Sequence, residues 1–70
     1  MITNTIREVR EKQSLTQADL AEMVGVSRQT IISLEKGSYN PSLELAFKIS
    51  KVLKASVDDL FRMEEDDETI

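Results

Sequence analysis

Seventy residues, 40% of them hydrophobic and none of them cysteine, make room for one small domain whose single core holds without disulfides. Histidine is absent too, so the chain lacks the usual nucleophile, the base that titrates nearest neutral pH and the zinc ligands, which argues against an enzyme, a cofactor or a metal site. The net charge of -4 argues at first against nucleic acid, but five of the 13 acids form the run "EEDDE" from Glu64 to Glu68, and the body that precedes them is close to neutral.

In chain order, the first predicted helix runs from about Thr3 to Gln13, with Ile2, Ile6, Val9 and Gln13 at helical spacing and Arg7, Glu8, Glu11 and Lys12 outside. "TQAD", Thr16 to Asp19, has the capping-box form and starts a second helix with the stripe Leu20, Ala21 and Val24, stopped by Gly25. Ser27 then caps a third helix, residues 27–36, with Ile31, Leu34 and Glu35 inward and Gly37 at its end. Three residues after Ser27 stands Thr30 and not an acid. That helix start therefore keeps its exposed N–H groups and positive dipole end for an outside anion.

After the loop "GSYNP", Ser42 caps a fourth helix with Leu43, Ala46, Ile49, Val52 and Leu53 inward and Lys48, Lys51 and Lys54 outward. "SVDD" opens a short fifth helix that adds Val57, Leu60 and Phe61. Asp58 and Asp59, the one adjacent carboxylate pair in the body, are explained by that cap. No stretch reads as a strand, so the expected fold is all-α: a compact five-helix domain over residues 1–62, with an acidic, disordered tail over 63–70. No apolar run approaches a membrane span and the N-terminus has no signal-peptide core, so no membrane contact and a cytoplasmic location are expected.

Two short helices joined by a glycine turn, the second with an outer face of Arg28, Gln29, Ile32, Ser33 and Lys36, describe a helix-turn-helix. The stretch "LTQADLAEMVGVSRQTIISLEKGSYNPS", with "VREK" before it and "LELAFKISKVLKASVDDLF" after, resembles the phage repressor/Cro-type family, also called the xenobiotic-response-element family. Gln17, Leu20, Ala21, Gly25, Val26, Ser27, Ile31, Glu35, Gly37 and Pro41 fall in its spacing, and the likeness covers about residues 2 to 62. It departs from the pattern at Ser14, where glycine commonly ends the first helix, and in the acidic tail.

The resemblance implies a bacterial or phage-encoded transcriptional regulator of double-stranded DNA, more often a repressor. An α-helix fits the major groove, where Gln29 can grip adenine, Arg28 can grip guanine or hold a phosphate, and Ser33 can serve either base. Ile32 can meet a thymine methyl or lap over the edge of the core. The resemblance implies Gln17 as a phosphate clamp, joined by Ser27 and by Lys36, Ser38, Tyr39 and Asn40 of the loop; Tyr39 has packing on that loop as its other reading. It also implies a partly buried ion pair between Arg10 and Glu35 that orients the third helix.

A single domain with few basic residues binds a half-site weakly, so a homodimer on a pseudo-palindrome is expected, with half-sites about 34 Å apart. Its interface is placed at Val57, Leu60, Phe61 and Met63, with core burial the other reading for Leu60 and Phe61. The rival to DNA reading is a protein-interaction module, such as an antitoxin or anti-regulator, that uses the C-terminal helix and acidic tail to hold a protein partner.

Overall fold

The computed structural model describes residues 2–64. Its order is β1 (Ile2–Asn4), α1 (Ile6–Lys12), α2 (Gln17–Val24), α3 (Arg28–Lys36), α4 (Leu43–Leu53), α5 (Val57–Leu60) and β2 (Phe61–Met63). All five expected helices are present. Each of α2 to α5 begins on a hydroxyl that accepts the backbone N–H three residues on: Thr16 from Asp19, Ser27 from Thr30, Ser42 from Leu45 and Ser56 from Asp59. Gly25 and Gly37 end α2 and α3 with φ of 79° and 85°, a left-handed turn that a side chain would strain.

Two short strands are the difference from the all-helical reading. Ile2, Thr3 and Asn4 pair antiparallel with Met63, Arg62 and Phe61, closing the two ends of the body into a ribbon. The first helix therefore starts at Ile6 and not near Thr3, and α5 is a single turn that releases Phe61 into the ribbon. Met63, assigned to the tail from sequence, belongs to the folded body. Residues 65–70, most of the expected acidic tail, lie outside the described residues.

The core lies where α2, α3, α4 and the ends of α1 and α5 converge. Ile6, Leu20, Ala21, Val24, Ile31, Leu34, Leu45, Ile49, Leu53 and Leu60 form one cluster, with Val9, Leu15, Val26, Val52, Ala55 and Phe61 packed against it. Burying each large aliphatic side chain contributes about 1.5–3 kcal/mol, so truncating one of them to alanine costs about 2–5 kcal/mol. One expected core position is corrected, and one position with two readings is resolved to the core. Leu43 is 71% exposed, and Leu45 takes the inward place in the first turn of α4. Leu60 is only 1% exposed and lies inside the core, so it cannot form part of a dimer surface.

Candidate nucleic-acid interface

Helices α2 and α3 pack on one another across the short turn between them. Ile31 and Leu34 fix α3 from within, and the 100° step between residues then decides what faces out. Arg28, Gln29 and Lys36 are exposed, while Ile32 and Ser33 are half-buried at the edge of that face. Among the described residues neither Arg28 nor Lys36 takes part in an ion pair. Both cations are therefore available to an outside anion.

Behind this face sits a buried polar network. Arg10 Nε donates to Glu35 Oε2 at 2.7 Å and Nη2 donates to Oε1 at 3.2 Å, a two-point contact between side chains only 8% and 6% exposed. The third guanidinium nitrogen, Nη1, donates to the Leu15 carbonyl at 2.9 Å. Glu35 Oε1 accepts a further bond from Gln17 Nε2 at 3.2 Å. The bond to Glu35 raises the Arg10 pKa above its ordinary value, outweighing the opposing effect of burial. Helix α3 is thus tied by one carboxylate to α1 and to the first residue of α2.

The remaining candidates fall around the ends of α3. Gln17 is half-buried and its amide already serves Glu35; its backbone N–H, in the first turn of α2, has no intrahelical partner. Ser27 is exposed, and its hydroxyl accepts the Thr30 N–H at 3.1 Å and bonds the Thr30 hydroxyl at 3.0 Å. The backbone N–H groups of Arg28 and Gln29 in that first turn have no acceptor within the helix. Ser38 donates its hydroxyl to the Ser33 carbonyl at 3.2 Å, holding the loop against the end of α3. Tyr39 is 42% exposed, and Lys36 and Asn40 are exposed with it.

An open cleft of about 820 Å³ runs between α1 and α3, lined among others by Arg28, Ile32 and Lys36 on one wall and by Arg7 on the other. In the sequence Arg7 reads as an ordinary solvent-facing charge on the outside of the first helix. Its own helix carries no sign of the cleft, which arises only when α1 packs beside α3. At the far end of the body, Val57 and Phe61 line a smaller apolar groove of about 330 Å³ with Ile2, Pro41, Leu43 and Ala46. Met63, 66% exposed, lies on the ribbon beside it.

Comparisons with known proteins agree with the helix-turn-helix fold. The family model described as helix-turn-helix matches residues 6–60. The chain is 53% identical over 62 residues to an uncharacterized HTH-type transcriptional regulator of Archaeoglobus fulgidus, covering 89% of each chain. It is 44% identical over 63 residues to the uncharacterized HTH-type transcriptional regulator YgzD of Bacillus subtilis, covering 90% of this chain and 96% of that one. Among solved structures, the P22 c2 repressor in complex with a synthetic operator superimposes with a TM-score of 0.73 at 40% identity, covering 76% of this chain and 80% of the repressor.

Proposed function

The chain belongs to the helix-turn-helix family of phage repressor/Cro type, whose members are DNA-binding transcriptional regulators, and from that premise we propose that it is a repressor that reads its operator as a homodimer. Helix α3 enters the major groove. Gln29 reads adenine, Arg28 reads guanine or holds a phosphate, Ser33 serves a neighbouring base and the exposed edge of Ile32 meets a thymine methyl. Each bidentate contact contributes about 1–3 kcal/mol of discrimination.

Phosphates are held around this helix by Lys36, Tyr39, Asn40 and Ser38 at one end and by the start of α3 at Ser27 and of α2 at Gln17 at the other. The Gln17 amide is shared with Glu35, so its contact to the backbone of DNA comes chiefly through its main-chain N–H. The Arg10–Glu35 pair serves to hold α3 at its docking angle. The single observation that carries the reading is the outer face of α3, where two cations and one amide stand exposed while a buried ion pair fixes the same helix from behind.

Selection of binding sites from a random duplex pool at moderate salt tests it. A two-fold pseudo-palindrome is expected, and Gln29→Ala relaxes preference at one position in each half-site. A folded protein that enriches no sequence would reject the proposal.

Dimerisation is proposed through Val57, Phe61 and Met63, beside the apolar groove that the 71% accessible Leu43 also lines. Two-fold symmetry there separates the recognition helices by about one turn of DNA, roughly 34 Å. This same apolar face favours a second reading, in which an unrelated protein partner docks there as in an antitoxin or anti-regulator. Light scattering with and without operator DNA separates the two: a monomer at every concentration in both states removes the dimer and leaves the partner.

A further inference from the structure

Resting on the DNA reading above, we infer that Asn4 is a positioning residue that sets the seat of the recognition helix. Asn4 closes β1 and pairs there with Phe61. Its Oδ1 accepts the Ile6 N–H at 3.2 Å, capping α1, while Thr5 in the formal cap position makes no side-chain cap bond. Its Nδ2 donates to the Leu34 carbonyl, 30 residues away in the last turn of α3, at 2.9 Å. One carboxamide therefore joins the ribbon, the start of α1 and the end of the recognition helix.

That second bond is not needed to satisfy Leu34, whose carbonyl already accepts the Gly37 N–H at 3.1 Å as α3 closes. Its effect is on placement. The segment that carries Asn4 is fixed in turn, because the Thr5 N–H reaches the Leu60 carbonyl at 2.9 Å and the Thr5 hydroxyl reaches the Asp59 carbonyl at 3.1 Å. Glu35 ties α3 to α1 and α2, and Asn4 ties the adjacent residue to the ribbon. A helix with both ties is held against rotation about either one. Over its nine residues a 10° swing moves one end by about 2 Å, enough to break a two-point contact to a base.

Two substitutions isolate the tie. Asn4→Ser keeps a capping oxygen for Ile6 but is too short to reach Leu34, and Asn4→Asp keeps the full-length acceptor but has no donor. Affinity for the selected operator and for random duplex is measured well below the melting temperature of each variant. Both variants are expected to lose up to about fivefold in operator affinity, the most that a lost bond of about 1 kcal/mol can pass on to binding, with random-duplex affinity unchanged and the melting temperature lower by several degrees. An unchanged operator-to-random ratio in the two variants, or an equal fall in both affinities, overturns the inference. If the parent protein itself does not distinguish operator from random duplex, the DNA reading falls and this inference with it; failure in the variants alone sinks only Asn4.

Discussion

Helices α2 and α3 begin and end alike but differ at the third residue of the first turn. Each starts on an extended hydroxyl residue, Thr16 or Ser27, and each ends on a left-handed glycine, Gly25 or Gly37. Three residues into α2, Asp19 reaches back to the Thr16 N–H at 2.9 Å and closes that helix start with its own negative charge. The matching residue in α3 is Thr30, which supplies a hydroxyl and no charge. The lesson is electrostatic: α2 answers its own dipole, whereas α3 leaves the positive end open to an outside anion.

The two helices also differ in how they are anchored, and the largest expected effect comes from breaking that difference. Glu35→Ala leaves the Arg10 guanidinium buried beside no carboxylate and is expected to cost about 3–5 kcal/mol by denaturant unfolding, with a further loss of operator affinity in the folded fraction because α3 loses the tie that holds its docking angle. A variant whose folded fraction binds operator as the parent does would show that the pair acts on stability alone. Removing the exposed Glu44–Lys48 pair of α4 is the control, since a surface pair of this kind contributes under about 1 kcal/mol.

The second expected effect comes from making the two helix starts the same. Thr30→Asp gives α3 the capping box of α2, so it is expected to keep or slightly raise the melting temperature while lowering operator affinity about tenfold, because the new carboxylate faces phosphate. Stability and binding moving down together would mean that position 30 acts only through packing.

Helix ends give a smaller effect. Unlike α2 and α3, the fourth helix is capped by a left-handed residue that is not glycine, Lys54 at φ 58°, and the first is followed one residue past its Gln13 cap by another, Ser14 at φ 61°. Relieving that strain with Lys54→Gly or Ser14→Gly is expected to stabilise the fold by up to about 1 kcal/mol, reduced by the extra freedom glycine gives the unfolded chain. A fall in melting temperature would show that the side chains contribute more than the strain costs.

The smallest effect is in acid. The Asp19 carboxylate is held below its ordinary value chiefly by the Thr16 backbone N–H, then by the Thr16 hydroxyl. A lowered folded pKa means its contribution is complete above the ordinary carboxylate range and disappears as pH falls through the folded value. Asp19→Asn should therefore flatten part of the acid limb of the stability curve, while Thr30 variants without a carboxylate leave that limb unchanged.

The helices were legible because their signals are local. A hydroxyl, a glycine and a 3.6-residue stripe act within one or two turns, so the starts of α2 to α5 and the stops of α2 and α3 could be read directly. The ribbon could not, since Thr3 meets Arg62 across nearly the whole chain and three-residue strands carry too little pattern. In α4, Leu43 and Leu45 both sit at plausible helical spacing, and only the neighbours packed against the helix decide that Leu45 goes in. The Arg10–Glu35 pairing was available only through family likeness, because nothing in either residue's surroundings names its partner.

The sequence by itself determined where the helices form, which glycine turn joins the central pair and which helix start was left without an acid. Those properties are set by hydrogen bonds and dihedrals among residues close in the chain. Tertiary structure alone decided that Glu35 gathers Arg10 and Gln17, that Asn4 reaches Leu34, that Leu60 is core and that Leu43 and Met63 remain outside. Each of these depends on elements 18 or more residues apart coming together, and at that range burial and hydrogen-bond satisfaction, not local propensity, choose the partner.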